Sequence, residues 1–233
     1  MFDKTEKAGR RPLDGVRVLD FSRVLAGPYC TAMMADLGAE VIKVEPPAGD
    51  PVRAMAPFEN GQSVWFANLN RGKHSVVLDL KSEDGKARLA QLCREADVFV
   101  EGFRPGVMAR LGFGYEAVRA LNPAIVYCSI SGYGRDGPQA ARPGYDFVIQ
   151  AEAGLMAITG PADGAPSKVG VAVADLATGQ NAATAILAAL LQRQRDGRGQ
   201  RIDVSLFDTQ LSLLANVAGN ALFTGVDAPR FGN

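Results

Sequence analysis

Histidine is nearly absent from this 233-residue chain: His74 is the only one. A His-rich metal site and a Ser-His-Asp relay are therefore all but excluded, and a lone histidine at a strand start reads as structural. Cysteine is scarce as well. Cys30, Cys93 and Cys128 lie far apart, form no CxxC pair and suggest no disulfide framework, so they read as buried reduced thiols of a cytoplasmic protein. There is no excess charge of either sign, because 25 basic side chains balance 25 acidic ones. No global field draws nucleic acid or an anionic membrane, and any anion site must be a local basic cluster. Long apolar runs are missing too. The longest, Ala182 to Leu191, is about half of a bilayer span, and the polar segment Met1 to Arg11 has no signal core. The expectation is a soluble, cytoplasmic protein with no membrane and no nucleic-acid partner.

What is present is an alternation of strands and helices. Apolar, β-branched runs predict strands over 16–21, 40–44, 74–80, 97–100, 125–130 and 202–206. Helical spacing predicts helices over 29–37, 82–96, 107–111, 115–121, 145–156, 175–195 and 209–223, with Gly27-Pro28 breaking the chain before the first. Residues 1–12 read as a flexible lead-in and 47–72 as mostly loop. Near-continuous apolar strands in such an alternation predict an α/β fold, a Rossmann-like, mainly parallel sheet with helices on both faces.

Gly132-Tyr133-Gly134-Arg135-Asp136-Gly137 satisfies the GxGxxG pattern and follows a strand. A dinucleotide fingerprint must also open a helix, and Pro138 to Gly144 cannot begin one, so no NAD site is expected. Arg23, Arg53, Arg71, Lys73, Arg104 and Arg110 mostly lie just after predicted strands, where open α/β sheets gather ligands. Each alone reads as a surface charge; as a group they point to an anionic ligand. Arg104, between a strand and a helix start, suits a phosphate. Asp175 precedes a strongly helical run. It reads equally as a helix N-cap or as a carboxylate kept ionised and fixed in direction for nucleophilic attack.

Taken in order, Pro12 to Phe21, Ala26 to Pro28, Leu37 to Pro46, Gly49-Asp50, Asn68 to Lys81, Phe103 to Gly106, Ser129 to Gly134, Asp146 to Gly160 and Asp175 to Phe207 resemble the class III CoA-transferase family, which includes formyl-CoA and carnitine CoA-transferases and α-methylacyl-CoA racemases. The resemblance implies that Asp175 is the catalytic nucleophile. CoA would pass between organic acids through aspartyl anhydride and aspartyl-CoA intermediates. It further implies CoA contacts at Arg23, Val24, Ala26, Leu78, Lys81, Phe103, Arg104 and Arg110, and an acidic position near the site at Asp146. The substrates would be an acyl-CoA and a carboxylic-acid acceptor, with no metal. Racemases of this fold carry a histidine before that acid; Tyr145 stands there, which favours a transferase over a racemase or isomerase. The family pattern makes residues 13–225 the first part of a large domain and 226–233 the start of a linker to a small domain. Full-length members form interlocked homodimers. A truncated CoA-binding fragment without turnover is the remaining alternative.

Overall fold

The computed structural model describes residues 11–232. In chain order its elements are β1 (Arg17–Phe21), α1 (Ala26–Asp36), β2 (Glu40–Glu45), a 3-10 turn (Pro51–Ala54), β3 (Phe58–Glu59), β4 (Gln62–Ser63), α2 (Val64–Leu69), β5 (Lys73–Val77), α3 (Glu83–Glu95), β6 (Val98–Glu101), α4 (Val107–Arg110) and α5 (Tyr115–Leu121). The second half adds β7 (Val126–Ser131), α6 (Asp146–Glu152), α7 (Leu155–Ile158), α8 (Val173–Asp196), β8 (Arg201–Ser205), α9 (Leu206–Leu213) and α10 (Ala215–Thr224).

Six strands form one sheet in the order β5-β2-β1-β6-β7-β8, with every pairing parallel. The fold is α/β, with a Rossmann-like sheet. Side-chain alternation divides each central strand between two cores. Val18, Val98, Val100 and Cys128 face α1 and α8, while Leu19, Phe99 and Tyr127 face α3, α4 and α5. On the second face the rings of Phe21, Phe99 and Tyr127 stack across three adjacent strands at 4.6 and 4.7 Å. The chain builds outward from β1 through β2 to β5, then returns to the other side of β1 with β6. That reversal opens a crevice beyond the carboxyl ends of β1 and β6, the place where open parallel sheets bind ligands.

The sequence-based boundaries needed four corrections. Gly27-Pro28 does not break the chain but sits in the first turn of α1, where a proline loses no helical hydrogen bond. The segment 47–72 is not mostly loop: it holds the 3-10 turn, the β3–β4 hairpin and α2, which the Ser63 hydroxyl caps by accepting from the Phe66 N–H at 3.2 Å. The helix expected over 145–156 is two, broken at Gly154, whose φ of 91° is left-handed. The helix expected over 209–223 begins at Leu206 and is interrupted by Ala215 at φ 46°. The lead-in expected over 1–12 falls almost wholly outside the described residues.

Candidate active site

The crevice is a cleft of about 340 Å³. Its walls are the turn after β1, the turn after β6, the end of β7 with the 140–145 segment, and the start of α8. The turn after β1 is strained. Val24 has φ 68°, a left-handed conformation that a β-branched residue adopts only when its surroundings enforce it. Gly27 makes the turn possible, since a Cβ there would lie 2.1 Å from Ser22 Cβ. The turn delivers α1 to the cleft with no side-chain cap on its N-terminus, which leaves its first N–H groups free for an anion.

A buried ionic network holds this turn from below. Asp20 is fully buried, and its carboxylate accepts from the Ser22 N–H at 2.9 Å, from Thr31 Oγ1 at 2.7 Å and from Lys73 Nζ at 3.0 Å. Lys43, 1% exposed, donates to the Ser22 carbonyl at 3.0 Å and pairs with Asp50 at 2.9 Å. Burial works to raise the Asp20 pKa, but Lys73 and Lys43 outweigh it and hold the carboxyl well below the usual range. Lys73 is thus structural rather than ligand-facing. Arg53 is likewise committed to Glu45 through two 2.7 Å hydrogen bonds, and Arg71 to Asp36. Of the six basic candidates these three are not free for an anion.

Across the cleft, Asp175 is the third residue of α8, not its cap. The cap comes from α6: Asp146 Oδ1 accepts from the N–H groups of Ala174 at 2.7 Å and Asp175 at 3.1 Å. The expectation that the helix start would keep Asp175 ionised is reversed, because burial and then the Asp146 carboxylate push its pKa up to about 7. Gly179, one turn on and on the same face, lets α8 cross α1 closely; a Cβ there would lie 2.6 Å from the Ala26 carbonyl oxygen. The crossing sets Asp175 against the open start of α1.

The cleft therefore gathers Arg23, Val24, Ala26, Phe103, Arg104, Tyr145 and Asp175. Leu78, Lys81 and Arg110 lie outside its wall; Leu78 packs against the second core cluster, and Lys81 and Arg110 are exposed. Asp146 is buried behind the wall with its oxygens turned to α8 and Gln150. The GxGxxG segment opens no helix. Gly132 instead closes against Gly144, where a Cβ on Gly132 would come within 2.6 Å of Gly144 Cα, and that closure brings Arg142 and Tyr145 to the cleft. Ser22, Gln150 and Gly179 were missed from sequence. Only the four-residue spacing of Asp146 and Gln150 could have hinted at a pair.

Residues 13–233 match the family described as CoA-transferase family III. The chain belongs to that family. It is 46% identical over 238 residues to a succinate–glutarate CoA-transferase of Agrobacterium fabrum, covering 98% of this chain and 60% of that protein. It is 44% identical over 235 residues to an acetyl-CoA:oxalate CoA-transferase of Acetobacter aceti, covering 100% and 60%. Among solved structures, a CAIB/BAIF family protein from Brucella suis superposes with a TM-score of 0.93 at 44% identity, covering 96% of this chain and 61% of that one. The chain thus spans about three fifths of the length of these relatives.

No ion pair among the described residues uses Arg23 or Arg104. The Arg23 guanidinium lies 4.7 Å over the Phe103 ring, and both line the cleft together with the uncapped start of α1. Two unpaired cations and the amide N–H groups at the start of α1 share one cleft with Asp175, a combination that can accept a phosphate. Among the described residues no group of three or more His, Cys, Asp or Glu side chains is arranged to hold a metal ion, and no helix is long and apolar enough to cross a membrane.

Proposed function

We propose that this chain carries the CoA-binding cleft and the nucleophile of a CoA-transferase that moves CoA between organic acids. The observation that carries the reading is the meeting of Asp175 with the open, cation-flanked start of α1 in one cleft. In this reading Arg23, Arg104 and the α1 amides hold phosphate, Val24, Ala26 and Phe103 line the approach, and the Asp175 carboxylate attacks the thioester carbonyl. The C–S bond breaks, giving an aspartyl anhydride and CoA thiolate. The thiolate then attacks the aspartyl carbonyl of the anhydride, releasing the first acid and leaving an aspartyl-CoA thioester. The acceptor acid attacks that thioester to form a second anhydride, and the thiolate returns to the acceptor's acyl carbon, freeing Asp175. A carboxylate lifted to about pH 7 is more basic than an ordinary one, which suits a nucleophile that is about half ionised at neutral pH.

The relatives named above suggest small organic acids, among them dicarboxylic ones, as donor and acceptor. Leu78, Lys81 and Arg110 would contact CoA only beyond the cleft wall, along its outer rim. Tyr145 would face the acyl group, and a cytoplasmic location and a homodimer belong to the same proposal. Incubation with succinyl-, acetyl- and glutaryl-CoA followed by peptide mass spectrometry tests it. A CoA-sized adduct, or a hydroxamate after hydroxylamine, is expected on Asp175 and is lost in Asp175→Asn. CoA binding with no adduct on Asp175 from any thioester would sink the nucleophile assignment.

A further inference from the structure

Asp146 is buried and does not itself line the cleft. One carboxylate oxygen takes the first free N–H groups of α8, from Ala174 and Asp175 itself. The other accepts from Gln150 Nε2. Gln150 is fully buried and is held at its other end, where Oε1 accepts from the Val169 N–H at 2.9 Å and Nε2 also approaches the Val171 carbonyl at 3.3 Å. The chain Val169–Gln150–Asp146–Asp175 therefore runs from the segment preceding α8, through α6, and back to the start of α8. It leaves a negative charge, fixed by hydrogen bonds, against a second carboxylate.

We propose that Asp146, locked by Gln150, is a positioning residue that sets both the direction and the basicity of Asp175. The proposal rests on the reading of Asp175 as the nucleophile. A neutral cap such as serine or asparagine would satisfy the same N–H groups. The choice of an aspartate adds a like charge, which makes the Asp175 carboxylate harder to ionise and more basic once ionised. Burial first and the Asp146 charge second raise the Asp175 pKa to about 7, in agreement with this geometry.

The other charged groups around Asp175 do not supply that charge. Arg23 from the β1 turn, Arg104 from the β6 turn and Arg142 from the 132–145 segment line the same cleft, and as cations they are of the wrong sign. Tyr145 lines it as well. Glu152 of α6 is tied to Arg142 and Tyr133, Asp208 of α9 to Ser205, and Lys168 sits over the Phe147 ring.

The test separates charge from cap. In Asp146→Asn the amide oxygen keeps the two α8 N–H groups, but the amide nitrogen faces Gln150 Nε2. In Asp146→Asn/Gln150→Glu the new amide donates to the introduced carboxylate, which still accepts from the Val169 N–H, so the cap and both hydrogen bonds return. The introduced carboxylate lies one hydrogen bond farther from Asp175 than the original charge; ionised, it acts on Asp175 more weakly, and protonated, it donates to the Val171 carbonyl and leaves no charge there. The Asp175 titration is read by carbon NMR of labelled carboxyl groups against Asp175→Asn, with no need for turnover. Its midpoint is expected to drop by about one pH unit in Asp146→Asn and by a smaller amount in the double variant. In transfer assays the acid limb of kcat follows it, and the plateau at pH 8 falls a few-fold with little change in KM for the thioester.

A double variant with the parent's thermal stability and an unmoved Asp175 midpoint overturns the proposal. So does failure of both variants to fold, since cap and charge would then be inseparable. If the midpoint drops but the parent forms no adduct on Asp175, the positioning stands and the nucleophile reading falls.

Discussion

Two carboxylates withdrawn from solvent flank the same cleft from opposite sides and are treated in opposite ways. Asp20, beneath the β1 turn, is wholly buried but meets Lys73 and Lys43, and its pKa is held far down. Asp175, at the start of α8, is less buried but has another carboxylate as its closest charged influence, and its pKa rises to about 7. Burial acts in the same direction on both. The sign of the neighbouring charge decides the outcome, making Asp20 a structural anchor and leaving Asp175 available for chemistry.

The comparison breaks first at Asp175. Asp175→Asn is expected to lower CoA transfer by a factor of about 10³ or more, measured as exchange between labelled acid and acyl-CoA. The same substitution is expected to stabilise the fold at pH 8. The folded form of the parent holds a proton that the unfolded chain releases near the ordinary carboxylate value, so stability falls as pH rises from about 4 to about 7. The asparagine removes that loss, adding about 2–4 kcal/mol at pH 8 and little at pH 4, which denaturant titration at the two pH values reads.

Asp20 should respond in reverse. Its contribution is present above the ordinary carboxylate value and disappears only as pH falls through its depressed value. Lys73→Met strands the buried charge and is expected to cost about 3–5 kcal/mol at neutral pH, with much of it restored in Lys73→Met/Asp20→Asn. A double variant no more stable than the single one would show that the pair is not coupled.

Smaller effects test the parts that join the two sides. Gly179→Ala places a methyl group 2.6 Å from the Ala26 carbonyl, so the helices must part. A cost of about 1–3 kcal/mol is expected, with weaker CoA affinity by calorimetry because Asp175 and the α1 start separate together. Val24→Gly relieves a left-handed valine and is expected to gain about 1 kcal/mol or less while lowering affinity for the thioester. Unchanged affinity in Val24→Gly would mean that the strain has no bearing on binding.

Much of the fold was legible along the chain because its strands are fully buried. Runs such as Val18-Leu19 and Val98-Phe99-Val100 are apolar on both faces, as only a parallel sheet covered on two sides requires. Local signals failed where a partner lay far off. Gly27-Pro28 carries the usual marks of a turn, yet the requirement it meets is contact with Ser22. In 47–72, glycine and proline hid a helix whose cap, Ser63, is an ordinary polar residue until its hydrogen bond is seen. The GxGxxG spacing was rightly discounted from its flanks, but nothing in it announced that Gly132 would pack on Gly144.

Local order alone accounts for the strands, the long helix behind Asp175 and the balance of charge, because each depends on neighbours within a turn or a strand. Asp175 taken alone was ambiguous between cap and nucleophile, since a carboxylate at a helix start has the same sequence signature in either role, and only the family resemblance favoured the nucleophile. Tertiary structure decided the matter of the cap. Asp146, 29 residues earlier, took the α8 N–H groups, and that one contact freed the Asp175 side chain and placed a like charge beside it. Hydrogen bonding and pKa depend on distance in space, and residues from three separate segments come within reach only once β1, β6 and α8 have closed on the same cleft.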